Sequence, residues 1–333
     1  MKLILIFILS SITNCAQIES TSDSPLSQLS EATLDLAVFV DQTFIDRLNS
    51  TGIDEIKFLR YALRTIDLRF NEPAIKSDLF AKLNFRVVYY EVMLSFWESL
   101  GGQLNANMAL ARVRSYSTRS RNLSIYDWSY SLFLTGLNFA TKSKSDTDRR
   151  RTDVLGVAIV NIVCTGAALI EMTSFDDWWV LIHEVGHSFG ALHDAISNDC
   201  DDAQSIMSSV VSNEKTYWSP CTLTMFRERL TSSNTRDCVT RTNRKGEQLT
   251  QFDMPTELPG QVFTNQDICR IGKSINAQFV AHESCRSIVC RLKWFQWTTL
   301  ALPEGTPCGD GYICCAGDCV SIADCHRFLG LSN

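Results

Sequence analysis

The sequence predicts an α/β domain followed by a small disulfide-rich module, and three observations carry that expectation. In the first two thirds of the chain, β-rich apolar runs are interleaved with an amphipathic helical stretch. Apolar residues make up 45% of the 333 positions, enough to bury a sizeable core. Cysteine is unevenly spread: one in the first 16 residues, four in 17–240 and eight in 241–333, the density of a module built on disulfides. The formal net charge is −6, so no bulk basic field exists to attract nucleic acid or an anionic membrane, and neither is expected as a partner.

Met1 and Lys2 precede the apolar run Leu3 to Leu9 and then the small and polar SSITNCAQ, the order of a secretory signal over residues 1–16. Seven apolar residues fall far short of the roughly 20 that span a bilayer. The chain is therefore expected to be secreted and extracellular, without a membrane anchor. Cleavage near Cys15 or Ala16 leaves twelve cysteines, an even number. Asn49 and Asn122 head N-x-S/T triplets and are N-glycosylation candidates. Residues 17–32, rich in serine, read as a short flexible entry segment.

The domain is expected over 33–240. Leu34 to Asp41 and Phe85 to Leu94 read as strands, and between them Ile53, Ile56, Leu59, Leu63 and Ile66 fall at helical spacing. Tyr130 to Gly136 and Val154 to Val163 are further strand candidates. The 17 residues from Val154 to Ile170 carry no charge, but β-branched content, Asn161 and two glycines favour a strand and turn buried in protein over a membrane helix.

The chemistry is concentrated in HEVGHSFGALHD. Three of the five histidines, His183, His187 and His193, lie within eleven residues. From this chain's own His, Glu and Gly frequencies, the extended pattern has a chance expectation on the order of one in a million. On a helix, positions four apart share a face, so His183 and His187 can present two imidazoles to one metal while Glu184 leans over the same edge. Gly190, lacking a Cβ, can turn the chain back to bring His193 in as third ligand. Ser174 and Asp177 have the S-x-x-D spacing of a capped helix start, and Trp178, Trp179 and Ile182 would pack that helix into the core. Three neutral imidazoles leave one tetrahedral position open, the arrangement of a catalytic zinc. Such an ion lowers the pKa of water and polarises a carbonyl, with Glu184 as catalytic general base that hands the proton to the departing amine.

These residues resemble the metzincin zinc endopeptidases, adamalysin (reprolysin) branch, over most of the chain after the signal. The resemblance implies a mixed, mostly parallel twisted sheet with an active-site helix. SIMSSVVS is similar to the family's Met-turn and the wall of its primary specificity pocket, which implies Met207 as a floor beneath the zinc and Ser209, Val210 and Val211 as substrate-binding candidates. DVLGVAIVNIVCTG resembles the edge strand that pairs with substrate, implying the backbones of Leu155 and Gly156. Family cysteine positions imply the pairs Cys164 with Cys238 and Cys200 with Cys221, while the remaining eight allow 105 connectivities. LPGQVFTNQDICRIG and EGTPCGDGYICCAGDCV resemble the disintegrin-like and cysteine-rich portion of ADAMTS and arthropod (tick-type) salivary metalloproteases.

The expected function is a secreted zinc metalloendopeptidase acting as a monomer on extracellular proteins, matrix or plasma proteins by resemblance, with one Zn2+; Ca2+ is an additional candidate without assigned residues. About 16 residues separate the signal from the first strand, so no proteolytic maturation is expected. The alternative is a toxin-like effector of a channel or receptor, because Cys290, Cys308, Cys314, Cys315, Cys319 and Cys325 follow the C…C…CC…C…C order of cystine-knot toxins. Because the zinc, base and pocket candidates all lie between Val154 and Ser212, catalysis is expected not to need the tail.

Overall fold

The structure, a computed structural model, describes residues 31–76, 82–93, 104–124, 127–142, 150–151, 154–299 and 301–331. The expected signal and nearly all of the entry segment lie outside the described residues. Strand β1 (Ala32–Asp41) is an inner strand of the main sheet, buried at every position but Thr33. It pairs in parallel with β2 (Leu83–Met93) on one side and β3 (Tyr130–Thr135) on the other. Next to β3 lies parallel β5 (Gly166–Glu171), and β4 (Gly156–Ala158) closes the sheet antiparallel to β5, giving the order β2-β1-β3-β5-β4.

A strand with both faces covered reads as a continuous apolar run, and β1 shows why. Leu34, Leu36, Val38 and Val40 enter one apolar cluster, with Phe58, Leu59 and Trp178; Ala37 and Phe39 enter another, with Ala109 and Val113. The period of two therefore divides the core into two layers. The first layer holds α1 (Gln42–Thr51), α2 (Glu55–Phe70) and α4 (Asp177–Ser188), and the second holds α3 (Ala106–Leu123). Asp41 and Asp54 start α1 and α2 by accepting from the N–H of Phe44 and Lys57.

The uncharged stretch 154–170 becomes strand, turn and strand. Its turn places Asn161 and Thr165 at φ of 63° and 70°, and no described helix is long and apolar enough to cross a membrane. Helices α1 and α3 carry too few spaced apolar residues to be legible in the sequence, and β5 is hidden in the same uncharged run.

The C-terminal region contains α7 (Asn265–Gly272), following α5 (Pro220–Thr231) and α6 (Ser233–Thr240). A three-stranded sheet follows, β6 (Gln278–Ser284), β7 (Ser287–Leu292) and β8 (Phe295–Thr298); then β9 (Pro307–Gly309), β10 (Tyr312–Cys315) and β11 (Asp318–Ser321); then α8 (Ile322–Leu329). Cys164 is joined to Cys238 and Cys200 to Cys221. The tail pairs are Cys269–Cys290, Cys285–Cys314, Cys308–Cys319 and Cys315–Cys325. Cys290 and Cys314 thus pair outside the six cysteines whose order resembles a knot, and those six do not form a closed set.

The seam between the two regions is core, not linker. Phe263 packs on Tyr61, Phe175 and Trp178 with ring centroids 5.4, 4.8 and 6.0 Å apart. The Trp179 indole N–H donates to the Ala301 carbonyl at 3.1 Å. Arg69, fully buried, lies 2.8 Å from Glu72 and 3.3 Å from Glu304, and its guanidinium also donates to the Thr216 carbonyl. The expectation that catalysis can dispense with the tail does not fit this packing, because residues on the active-site helix are covered by tail residues.

One arginine facing two buried carboxylates leaves a proton to be held. Burial, opposed by Arg69 and reinforced by Glu304, pushes Glu72 up to about 8, and burial also raises Glu304. The folded state then binds this proton more tightly than the unfolded chain, so the stability Glu72 contributes at acid pH is lost as pH rises from about 4.5 through about 8. Urea midpoints should accordingly fall between pH 6 and 8.5. Glu72→Gln should flatten that fall relative to the unsubstituted protein; an unchanged slope would refute the assignment.

Candidate active site

Helix α4 begins where Asp177 turns its carboxylate back to accept from the backbone N–H groups of Thr173 and Ser174, at 2.6 and 2.7 Å. This is one half of the expected capping pair. The Ser174 hydroxyl donates to the same carboxylate rather than capping a backbone N–H, and the helix proper opens at Asp177. Trp178, Trp179 and Ile182 are buried, and one turn on, His183, Glu184 and His187 are buried as well.

The helix ends in a Schellman turn. Gly190, at φ 98°, donates its N–H to the His187 carbonyl, and Ala191 donates to the Gly186 carbonyl. That turn aims the Ala191 carbonyl at His187 Nδ1, 2.8 Å away, while the Ile206 carbonyl meets His183 Nδ1 at 2.6 Å. Both rings must donate from Nδ1, which leaves their Nε2 lone pairs free and facing His193 Nε2 at 3.2 Å from His183 and 3.3 Å from His187. Zn–N bonds of 2.0–2.1 Å at a tetrahedral angle put ligand nitrogens about 3.3 Å apart, so the donor set fits zinc in kind and spacing. Burial holds all three imidazoles below their usual range, His187 to about 4 and His193 to about 3, so they are neutral at physiological pH, the form that can bind a metal.

Glu184 stands beside this triangle, fully buried, with neither carboxylate oxygen accepting a hydrogen bond among the described residues. Burial raises its pKa well above the ordinary carboxylate range. A buried, unpartnered carboxylate is costly for folding alone, which marks it as a group kept for something that binds there.

With this geometry in place, comparison with known proteins is informative: residues 134–232 match metallo-peptidase family M12B, reprolysin-like. This match to a reprolysin-like M12B metallopeptidase domain supports a metzincin of the adamalysin branch. Among similar proteins is the Caenorhabditis elegans "A disintegrin and metalloproteinase with thrombospondin motifs adt-1", 25% identical over 96% of this chain and 22% of its own length. A Bombyx mori relative described as "A disintegrin and metalloproteinase with thrombospondin motifs like" is 28% identical over 66% of this chain and 34% of its own. The chain thus spans about a fifth to a third of these two relatives. Metalloproteinase-II from Bacteroides fragilis aligns with a TM-score of 0.40 at 15% identity, over 62% of this chain and 56% of that one.

Several parts of this metzincin site emerge only in three dimensions. Asp194, next to the third histidine, is buried; its N–H donates to the Met207 carbonyl and its carboxylate accepts from Ser205 and Asn198. Met207 is thereby fixed under the helix, and a Cβ on Gly186 would stand 2.8 Å from its sulfur. Asn161 donates its N–H to the His187 carbonyl at 2.9 Å from a left-handed backbone, a conformation asparagine tolerates.

Strand β4 is the open edge of the sheet. The Leu155 carbonyl is spent inward on the Glu171 N–H, so strand alternation turns the backbone groups of Gly156 and Ala158 outward, and Ala158 is a candidate the sequence did not single out. Val210 and Val211 line a small recess beside His183 that Ser209 does not line; Trp179, Ser212 and Lys215 line it too. The exposed Asn49 and Asn122 are remote from these groups in sequence and were never candidates for the site itself.

Gly156 has a steric reason to be glycine: a Cβ there would lie 2.7 Å from Cγ and Oε1 of Glu184. Gly156→Ala should displace the carboxylate without touching the imidazoles. We expect peptide turnover to fall about 10²-fold or more with zinc content unchanged, since about 1 Å of misplacement carries such a cost. Wild-type turnover in this variant, measured with a fluorogenic peptide, would show the contact to be slack.

Proposed function

We propose that the chain is a secreted zinc metalloendopeptidase that hydrolyses peptide bonds in extracellular proteins, with domain 33–240 carrying the site and 241–333 completing it. The observation that carries this reading is the meeting of three imidazoles, His193 Nε2 lying 3.2 and 3.3 Å from the Nε2 atoms of His183 and His187, beside a buried and unpartnered Glu184 in a chain with an M12B match. His183, His187 and His193 would hold the ion, which supplies Lewis acidity toward water and a carbonyl oxygen. Gly156 and Ala158 would bind the substrate backbone along the open edge, as an added strand. Val210 and Val211 would wall the recess that receives a substrate side chain. Glu184 would take a proton from water and return it to the amine nitrogen as the peptide bond breaks. All these groups come from one chain, so the reading is of a monomer.

The test is to incubate the purified protein with a denatured protein mixture, with and without a zinc chelator, and to identify the new termini. Termini that vanish with chelator and return with added Zn2+ are expected. Their complete absence would rule out the reading. No observation favours the toxin-like alternative, since two of its six cysteines, Cys290 and Cys314, pair outside the set and tie it to the rest of the tail.

A further inference from the structure

Strands β7 and β8 form a hairpin whose tip is aromatic and open to solvent. Trp294 is 91% exposed, more than any other large apolar residue among those described, and the adjacent Phe295 is 53% exposed. Phe295 and Trp297, two apart on one face, stack with ring centroids 5.9 Å apart. The base of the hairpin is held in place. Cys290 of β7 is bonded to Cys269 of α7, and Arg47 of α1 donates to the Thr173 carbonyl on one side and to the Ile271 and Gly272 carbonyls at the end of α7 on the other. The tip is therefore presented by a fixed scaffold.

Leu292 pairs with Phe295, so the turn consists of Lys293 and Trp294 alone. Lys293 sits at φ 57° and Trp294 does not share the positive φ, as in a type II′ turn, whose first position ordinarily takes glycine. A lysine there holds backbone strain at an exposed position, which points to a role for its side chain. Arg291, also exposed, faces Gln296 across β8 and Gln278 across β6. The run from Arg291 to Trp297 thus carries two cations and no carboxylate, and neither cation joins an ion pair among the described residues.

We infer that this hairpin is an interfacial anchor that seats Trp294 and Phe295 in the headgroup region of an anionic phospholipid bilayer, with Lys293 and Arg291 against the phosphates. The inference stands apart from the protease reading. Area decides against a protein partner: two aromatic side chains at these exposures offer on the order of 300 Å², whereas a stable protein interface buries about 800 Å² per side. Shape agrees, because a convex tip needs an occupant that closes around it, as a fluid interface does. Charge selects the lipid. The net charge of −6 gives no bulk attraction, but cations on the tip lie within a Debye length, about 8 Å, of any surface the tip touches. Tryptophan suits the headgroup level, and the stems of lysine and arginine cover apolar surface while their charges stay in water. Two aromatic residues with two cations make a reversible anchor and not a membrane span.

The test is sedimentation of the full-length protein with vesicles of phosphatidylcholine alone and of phosphatidylcholine mixed with phosphatidylserine. Tighter binding to the anionic vesicles is expected, weakening as salt is added. Trp294→Ser should raise the apparent Kd for anionic vesicles about tenfold or more, and Lys293→Gly about fivefold. Both are exposed turn positions, and glycine relieves the positive φ at 293, so neither variant should melt at a lower temperature. Equal binding to the two kinds of vesicle, no binding to either, or anionic binding that neither substitution weakens would each overturn the anchor. Acrylamide quenching gives a second readout, the Trp294 signal being the difference between the unsubstituted protein and Trp294→Ser. Shielding of that signal by anionic vesicles is expected; shielding by a denatured protein mixture and not by vesicles would assign the tip to a protein partner and overturn the inference.

Discussion

Glu184→Ala is expected to retain zinc and lose turnover by roughly 10²- to 10⁴-fold, the range typical of a general base. The structure separates the two roles. His193 Nε2 meets the Nε2 atoms of His183 and His187 at 3.2 and 3.3 Å without the carboxylate, which lies beside the edge strand at Gly156. Because the carboxylate is buried and accepts no hydrogen bond among the described residues, removing it should not lower the melting temperature. His187→Ala should behave in the opposite manner. It removes a ligand and orphans the Ala191 carbonyl, so zinc, activity and stability should fall together. Metal content, a peptide assay and a thermal melt on the two variants check this. Zinc loss in Glu184→Ala, or substantial residual turnover, would undo the division of roles.

A chain ended near Lys245 is expected not to fold cooperatively. Truncation strips Phe263 from Tyr61, Phe175 and Trp178, and takes the Ala301 carbonyl from the Trp179 indole. It also takes Glu304 from fully buried Arg69, which keeps Glu72, and strips the Ala316 N–H of its acceptor, at a cost of about 1–3 kcal/mol. With the exposed aromatic area added, the loss is of the order of a whole domain's stability, about 5–15 kcal/mol.

The consequence reaches the metal ligands. Arg69 donates to the Thr216 carbonyl, the neighbouring Tyr217 carbonyl accepts from the Ile206 N–H, and the Ile206 carbonyl holds His183 Nδ1. Glu304→Ala in the full chain should therefore destabilise by about 1–3 kcal/mol, with Glu72 left to pair Arg69, and weaken zinc retention. Denaturant unfolding, near-ultraviolet circular dichroism and metal content are the measurements. A monomeric truncated chain with a sharp transition and full short-peptide activity would restore the view of the tail as an independent unit.

What the sequence determined by itself is what depends on local spacing. The period of a helix put His183, Glu184 and His187 on one face, the freedom of glycine at φ > 0 brought His193 round after Gly190, and alternating or continuous apolar runs located β1, β2 and β3. The disulfides of the domain were legible only through family resemblance, and the structure joins the same residues, Cys164 with Cys238 and Cys200 with Cys221. Tertiary structure alone decided the contacts that link distant parts of the chain. Arg69 and Glu304 lie 235 positions apart, and Arg47 and Gly272 lie 225 apart. Gly156 touches Glu184 across the sheet edge, and Asn161 holds the end of a helix that begins sixteen residues later. No periodicity encodes such pairs. Apolar burial has no direction, so a run of aromatic residues announces that it will be covered without naming the cover. The chemistry between Val154 and Ser212 looked self-sufficient in the sequence for that reason, and it is the fold that seats its helix against the tail.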